Sequence, residues 1–110
     1  MVEAILFRGL AVSLVGSDHG DTSSAAAEIQ TIFDAEKAKS RGVMVLAPAS
    51  MWEHLAVRGL ILPDDPVEFV RVLYDELGGL GAAGYRVAIV ALPRSVDLDA
   101  VLDRLRRESS

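Results

Sequence analysis

The sequence contains no cysteine. Disulfide bonds, thiolate metal sites and cysteine nucleophiles are therefore excluded, and the composition suits a reducing compartment. Aromatic residues are also scarce, at 5% of the chain. We therefore expect a core built mainly from valine, leucine, isoleucine and alanine.

Long apolar runs are missing as well. No stretch approaches the roughly 20 apolar residues that a membrane-spanning helix needs. The apolar start, residues 1–6, is interrupted by Glu3, and Arg8 follows it without the small-residue cleavage site of a signal peptide. We therefore expect a cytoplasmic protein that does not contact a membrane.

Positive charge is in short supply, because 11 basic residues stand against 16 acidic ones and the net charge is −5. A general nucleic-acid binder needs a concentrated basic face. The basic cluster of Arg94, Arg104, Arg106 and Arg107 is diluted by acidic neighbours such as Asp103. We interpret the cluster as a solvated helix face and expect no nucleic-acid partner.

The length and composition are those of one globular domain. The chain has 110 residues, of which 51% are hydrophobic and 25% charged. This is enough for one hydrophobic core and too little for two. We expect a single domain over residues 1–110.

Four apolar segments have the composition of strands buried within a sheet. Residues 43–47 and 87–92 are continuous apolar runs, and each is followed by a proline. Residues 4–16 form either one strand or two short strands broken at Gly9. Gly59–Leu62 completes the set.

Helical patterns separate these strands. Thr22, Ser23 and Ser24 are suited to cap a first helix, whose apolar stripe is Ala25, Ile29, Ile32 and Phe33. Ser50 and Glu53 have the spacing of a capping box, which predicts a short helix after the second strand.

The clearest helix start in the chain is Asp65-Pro66, with the cap residue followed by proline at the first helical position. Because residues 78–84 are rich in glycine, we expect this helix to end near Leu77, with at most one loose turn before Gly84. The last helix carries one apolar face, formed by Leu98, Val101, Leu102 and Leu105.

Apolar strands that alternate with amphipathic helices indicate a parallel sheet with helices on both faces. The predicted fold class is α/β, a small three-layer Rossmann-like fold with a mostly parallel sheet of 4–5 strands flanked by helices. Trp52, the single tryptophan, is expected to cover one end of this sheet.

The loop after the first strand, residues 16–24, is the first place to expect a ligand. In open α/β sheets, ligands bind beyond the carboxyl ends of the strands, where helix N-termini attract anions. Neither a G-x-G-x-x-G fingerprint nor a P-loop is present, so the segment also fits a polar loop that leads into a capped helix. If the loop is a site, a nucleotide or small acidic ligand would contact Gly16, Ser17, His19, Thr22 and Ser23.

Two other patterns in the same region are chemically incomplete. Ser17, Asp18 and His19 place a nucleophile, an acid and a base together, but consecutive residues on a turn rarely point at one another. A small hydrolase that uses His19 is a third class of function, and it would require turnover that disappears when His19 is replaced. His19, Asp21 and His54 are residue types that hold zinc, but nothing in their spacing brings them together. We predict no catalytic residue, no metal site and no cofactor.

From Leu62 onward, the chain resembles a known family at three places: Leu73-Tyr74, residues 87–90, and Asp103-Arg104-Leu105. These places are similar to the C-terminal accessory domain of the long form of threonylcarbamoyl-AMP synthase. In that family a small Rossmann-like domain follows a YrdC-type catalytic domain. The resemblance covers about the last 45 residues, and the order of elements extends it over the rest.

The printed sequence departs from the family in several respects. Residues 78–81 replace the usual arginine and Leu-Asp pair, and Ala91 stands where a glutamate often ends the strand. The catalytic domain and the linker to it are absent from this sequence, so none of the family's catalytic residues can be placed here.

The resemblance implies an accessory or regulatory domain connected with tRNA threonylcarbamoyladenosine modification, which acts through a protein partner or through self-association. We expect the partner to bind an exposed apolar face of one of the last two helices. The alternative is a small-ligand binding domain that uses the loop after the first strand.

Overall fold

The computed structural model describes residues 2–16, 22–39, 42–55, 57, 59–93 and 96–109. Within these residues the chain forms five β-strands, three α-helices and one 3₁₀-helix. In chain order they are β1 (Val2–Phe7), β2 (Leu10–Val15), α1 (Thr22–Lys39), β3 (Val43–Pro48), the 3₁₀-helix (Ala49–His54), β4 (Gly59–Leu62), α2 (Pro66–Leu80), β5 (Val87–Ala91) and α3 (Leu98–Ser109).

The five strands form one sheet in the order β1-β2-β5-β3-β4. The pairs β2–β5, β5–β3 and β3–β4 are parallel, and only β1 runs antiparallel to its neighbour. This sheet and its flanking helices confirm the predicted α/β, Rossmann-like fold class.

Residues 4–16 belong to two strands, which decides between the two alternatives that the sequence leaves open. Arg8 and Gly9 connect β1 to β2 with φ angles of 50° and 84°. Positive φ at both central residues is the mark of a two-residue type I′ turn, whose twist matches that of paired strands. Glycine adopts this conformation readily, so the break at Gly9 is a hairpin turn.

Two helical elements pack on each face of the sheet. α1 and the 3₁₀-helix pack on one face, through buried residues that include Ile29 and Met51. α2 and α3 pack on the other face, through residues such as Phe69, Leu73 and Leu105. The connection from β2 to β3 and the return from β4 to β5 run in opposite directions on opposite faces, so the two crossovers share one hand.

α2 is longer than the sequence predicts. The helix continues through Gly78 and Gly79 to Leu80 instead of ending near Leu77. Leu80 is only 5% exposed and packs in the core, while its carbonyl oxygen accepts hydrogen bonds from the amides of Ala83 and Tyr85. Burial of this leucine therefore outweighs the low helix propensity of the two glycines.

The predicted capping box at Ser50 is wrong. The short helix is a 3₁₀-helix whose N-cap position is Pro48, and that residue makes no side-chain capping bond. The Ser50 hydroxyl donates instead to the Asp64 carboxylate, at 2.9 Å from Oδ1. This hydrogen bond to a residue 14 positions away takes the place of the predicted capping bond to the local backbone.

The helices of the described residues are either too short or too polar to cross a bilayer.

Gly59, the first residue of β4, lies so close to the backbone of β3 and to the Trp52 ring that a residue with a Cβ atom would not fit there. A Cβ atom at this position would collide with the carbonyl oxygen of Val45 and lie 2.8 Å from Cη2 of Trp52. We expect Gly59→Ala to lower the free energy of unfolding by at least about 2 kcal/mol, because the backbone oxygen cannot move aside. Urea denaturation measures this change.

Gly78→Ala is the matched control, because a Cβ atom there meets nothing within 4 Å and the residue lies inside α2. This substitution should raise the free energy of unfolding by about 0.5–1 kcal/mol. Equal effects of the two substitutions would contradict the packing described around Gly59.

Candidate functional site

The carboxyl ends of β2 and β5 form the switch point of the sheet. β2 leads to α1 on one face, whereas the adjacent β5 leads to α3 on the other. The two strands stay paired at this end, since the amide of Leu92 donates to the Val15 carbonyl oxygen at 2.9 Å. In open α/β sheets, the crevice outside such a point is where ligands bind.

The predicted ligand-binding residues begin at this switch point. Gly16 directly follows β2 and is half-buried, and Thr22 and Ser23 are the first two residues of α1. The hydroxyl residues thus belong to the first turn of the helix rather than preceding it. Ser17 and His19 lie outside the described residues, so their part in a ligand site stays a prediction.

At this edge of the sheet, three aspartate side chains accept hydrogen bonds from backbone amides. Both the amide and the hydroxyl of Ser50 donate to Oδ1 of Asp64, at 3.1 Å and 2.9 Å. Asp65 accepts a bond from the Glu68 amide at 3.1 Å, which confirms the predicted start of α2. Asp97 accepts one from the Asp99 amide at 3.1 Å. An anionic ligand would therefore be favoured nearer the first turn of α1 than beside these aspartates.

The predicted zinc-ligand types are not brought together in the part of the chain that the structure describes. There, no group of three or more histidine, aspartate or glutamate side chains is arranged to hold a metal ion. The side chain of His54 is 38% exposed, and its Nε2 lies 3.6 Å from Oε1 of Glu53. His19 and Asp21 are outside the described residues, as is Asp18 of the sequence Ser17-Asp18-His19.

Trp52 has a structural role, as predicted. Its Nε1 donates to the Ala47 carbonyl oxygen at 3.0 Å, and its ring packs in the hydrophobic cluster under α1. The ring also lies against Gly59 at the start of β4. The tryptophan is therefore partly buried against the core, and its indole N–H is already used by a backbone carbonyl.

A groove of about 530 Å³ lies between α2 and α3, and we call it the α2–α3 groove. Valine side chains form much of its surface, and charged groups surround them. Val67 is the most open of these valines, with 73% of its surface exposed. The groove is lined by Pro66, Val67, Val70, Arg71, Tyr74, Asp75, Val96 and Arg104.

Tyr74 and Arg104 meet in the α2–α3 groove. The guanidinium carbon of Arg104 lies 4.2 Å from the centre of the Tyr74 ring, a cation–π distance. Nε of Arg104 is also 3.6 Å from Oε1 of Glu108. Burial raises the pKa of the Tyr74 hydroxyl above its ordinary value, and the Arg104 charge offsets part of this rise.

The apolar faces of α2 and α3 proposed from the sequence as partner surfaces are covered by the sheet. Leu73 and Leu105 are fully buried, and Leu77 and Val101 are 2% exposed. The surface that remains open is the groove beside them. The sequence signal for this groove is a second apolar stripe on α2, formed at positions i, i+3 and i+7 by Val67, Val70 and Tyr74. In the sequence alone this stripe cannot be told apart from the adjacent core stripe.

A second cavity, of about 490 Å³, lies at the amino ends of β3 and β4, opposite the switch point. Val43 and Gly59 belong to its lining, together with residues of α1. Lys37 is the one charged residue among the described residues of its lining, and Nζ of this lysine lies 5.5 Å from the centre of the Phe33 ring. The edge where the sequence predicts a ligand is at the other end of the strands.

The environment of Tyr74 predicts a change of stability at high pH. Because the pKa of this hydroxyl is raised by folding, the neutral form is favoured in the folded protein, and its contribution is complete below the unfolded pKa. We expect the contribution to be lost as the pH rises through the raised folded pKa. The Tyr74→Phe variant cannot ionise here and should show a shallower loss in urea unfolding between about pH 9 and pH 11. Identical pH slopes for the two proteins would contradict the prediction.

Comparisons of this chain with protein-family models, with curated proteins and with solved structures found no match. The resemblance to the accessory domain of threonylcarbamoyl-AMP synthase therefore stays a prediction. Two features of the structure bear on function, the α2–α3 groove and the switch point at the carboxyl ends of β2 and β5.

Proposed function

We propose that this chain is an accessory domain that binds a protein partner through the α2–α3 groove. One observation carries the proposal. Tyr74 and Arg104, which belong to two separate motifs of the family resemblance, contact each other and border an open valine-lined surface. Residues that are 30 positions apart in sequence thus share one exposed site.

The composition of the α2–α3 groove supports a protein ligand. Tyrosine and arginine are enriched at the energetically important centres of protein interfaces, where they combine apolar contact area with hydrogen bonding. Val67 is exposed at 73%, and such a side chain gains free energy when a partner covers it. Arg71, paired with Glu68, stands at the rim with its charge compensated.

The partner that the resemblance implies is a YrdC-type catalytic domain of threonylcarbamoyl-AMP synthase. Such a domain carries the chemistry of the family, which uses ATP, threonine and bicarbonate. In this proposal the present chain supplies no catalytic group and regulates or stabilises that domain. The partner surface should present an apolar side chain to the valines and acceptor atoms to Arg104.

Isothermal titration calorimetry with a YrdC-type catalytic domain from the same source tests the proposal. We expect Val67→Asp to weaken binding at least about tenfold, because it places a charge in the apolar part of the groove. Val67 is highly exposed, so the fold should tolerate the change.

Ile61→Asp is the matched control, since Ile61 is also β-branched, is 67% exposed on the edge strand β4, and does not line the α2–α3 groove. It should leave the affinity unchanged. No binding at about 100 μM protein, or equal losses for the two variants, would contradict the proposal.

A second candidate function is the binding of a nucleotide or small acidic metabolite at the switch point. The observation that favours it is topological: the first turn of α1, with Thr22 and Ser23, lies at the carboxyl ends of two adjacent strands whose helices depart to opposite faces. Backbone amides at such a helix start favour an anion. Gly16, Ser17 and His19 would complete this site.

Thermal unfolding with AMP, ATP, threonine and bicarbonate tests this second function. A ligand that binds only the folded protein raises the melting temperature by mass action, and Thr22→Val should reduce the shift. Thr31→Val, at an exposed position of the same helix, is the control and should leave the shift intact. The idea fails if every compound leaves the melting temperature unchanged.

A further inference from the structure

β1 is an edge strand without the usual protection. It is six residues long, contains no proline and carries one charged side chain, that of Glu3. Soluble proteins normally guard an edge with short strands, charges or proline, because its free N–H and C=O groups pair readily with another strand. The opposite edge, β4, has four residues and is followed directly by Pro63.

One face of the β1–β2 hairpin is also open. Leu6 is 67% exposed although it lies within a strand, and its neighbours Ala4 and Ala11 are exposed as well. In the hairpin register Leu6 pairs with Ala11, and Ala4 pairs with the half-buried Ser13. The small side chains around Leu6 leave its apolar surface in water.

The hairpin geometry determines which backbone groups face outward. In a two-residue hairpin the closing pair, here Phe7 and Leu10, is a hydrogen-bonded pair, and bonded and non-bonded pairs alternate along the strands. The N–H and C=O groups of Ala4 and Leu6 are therefore directed away from β2. These are the groups that an additional strand would bind.

We infer that β1 pairs antiparallel with β1 of a second copy of this chain, about a two-fold axis that passes by Ile5. The two sheets then join into one of ten strands. In this register Ala4 lies opposite Leu6 of the second copy, so each exposed leucine is flanked by an alanine on both sides. The two Ile5 side chains meet on the other face.

The charges of β1 favour a second copy and select this register. The guanidinium carbon of Arg8 lies 5.2 Å from the centre of the Phe7 ring. In the antiparallel register Glu3 lies opposite Phe7 of the second copy, which brings it beside that copy's Arg8. Two symmetric ion pairs result.

Other arrangements lose this complementarity. A shift of two residues, with Ala4 opposite Ala4, places Glu3 opposite Ile5 and away from Arg8. Parallel pairing in register places Glu3 beside Glu3, which is repulsive. Of these three arrangements, the antiparallel one centred on Ile5 is the one that places Glu3 beside Arg8 of the second copy.

Sedimentation of the whole chain between about 10 μM and about 1 mM tests the inference, because an interface of one strand pair is at the small end of stable interfaces. We expect a reversible dimer. Leu6→Glu should raise its dissociation constant at least about tenfold, whereas Ile61→Glu, at the equally exposed 67% position of the other edge strand, should leave it unchanged.

A second set of variants, in which the charges of Glu3 and Arg8 are exchanged, tests the inference even if Leu6→Glu does not fold. Glu3→Arg should weaken the dimer because it sets two arginines side by side, and the double variant Glu3→Arg/Arg8→Glu should restore it. Circular dichroism checks that each variant is folded. Three results would overturn the inference. The wild-type chain could stay monomeric over the whole concentration range, or Ile61→Glu could weaken the dimer as strongly as Leu6→Glu. The double variant could also dimerise as weakly as Glu3→Arg. The interface is separate from the α2–α3 groove, so the failure of either leaves the other standing.

Discussion

β5 must be buried on both of its faces, and the rest of the structure is arranged around this requirement. All five of its residues are buried, and they alternate between the cluster under α1 and the cluster under α2 and α3. Its edges are occupied by β2 and β3, so its backbone bonds are shielded from water as well. A strand of this kind needs a helix layer on each side, and the two layers in turn produce the switch point and the groove.

The interior that results is apolar throughout the described residues. Among the described residues no polar or charged side chain is buried, so the polar groups lie at the rim of the sheet and on the helix surfaces. Most described aspartates at the carboxyl edge already accept bonds from backbone amides, which fixes the entrances to the 3₁₀-helix, α2 and α3. The surfaces proposed for recognition are the α2–α3 groove, the first turn of α1, and the open face and edge of the β1–β2 hairpin.

The fold class could be predicted from the sequence because apolar strands and amphipathic helices alternate with strong local signals. The start of α2 at Asp65-Pro66 and the packing of Trp52 are determined locally or by size, and both predictions were confirmed. The end of α2 and the partner of Ser50 could not be predicted, since Leu80 and Asp64 act through tertiary contacts that leave no local pattern.

The α2–α3 groove could not be predicted from the sequence for a similar reason. Val67 and Tyr74 belong to a stripe next to the core stripe of α2, and the packing of α2 on the sheet decides which stripe remains in water. Element order alone placed residues 16–24 after a strand, and β2 does end at Val15; that this segment binds a ligand stays a prediction.

The pairing of β2 with β5 has a consequence for how the protein is made. Ala11 is aligned with Val87, so the centre of the sheet joins residues that are 76 positions apart in sequence. Such non-local contacts must overcome loop-closure entropy and slow the folding reaction. On the ribosome the hairpin can form early, whereas β2 and β3 must wait for β5 to emerge before the gap between them is filled. Until then a nascent chain exposes the edges of β2 and β3 that β5 later covers, and exposed strand edges pair readily with other strands.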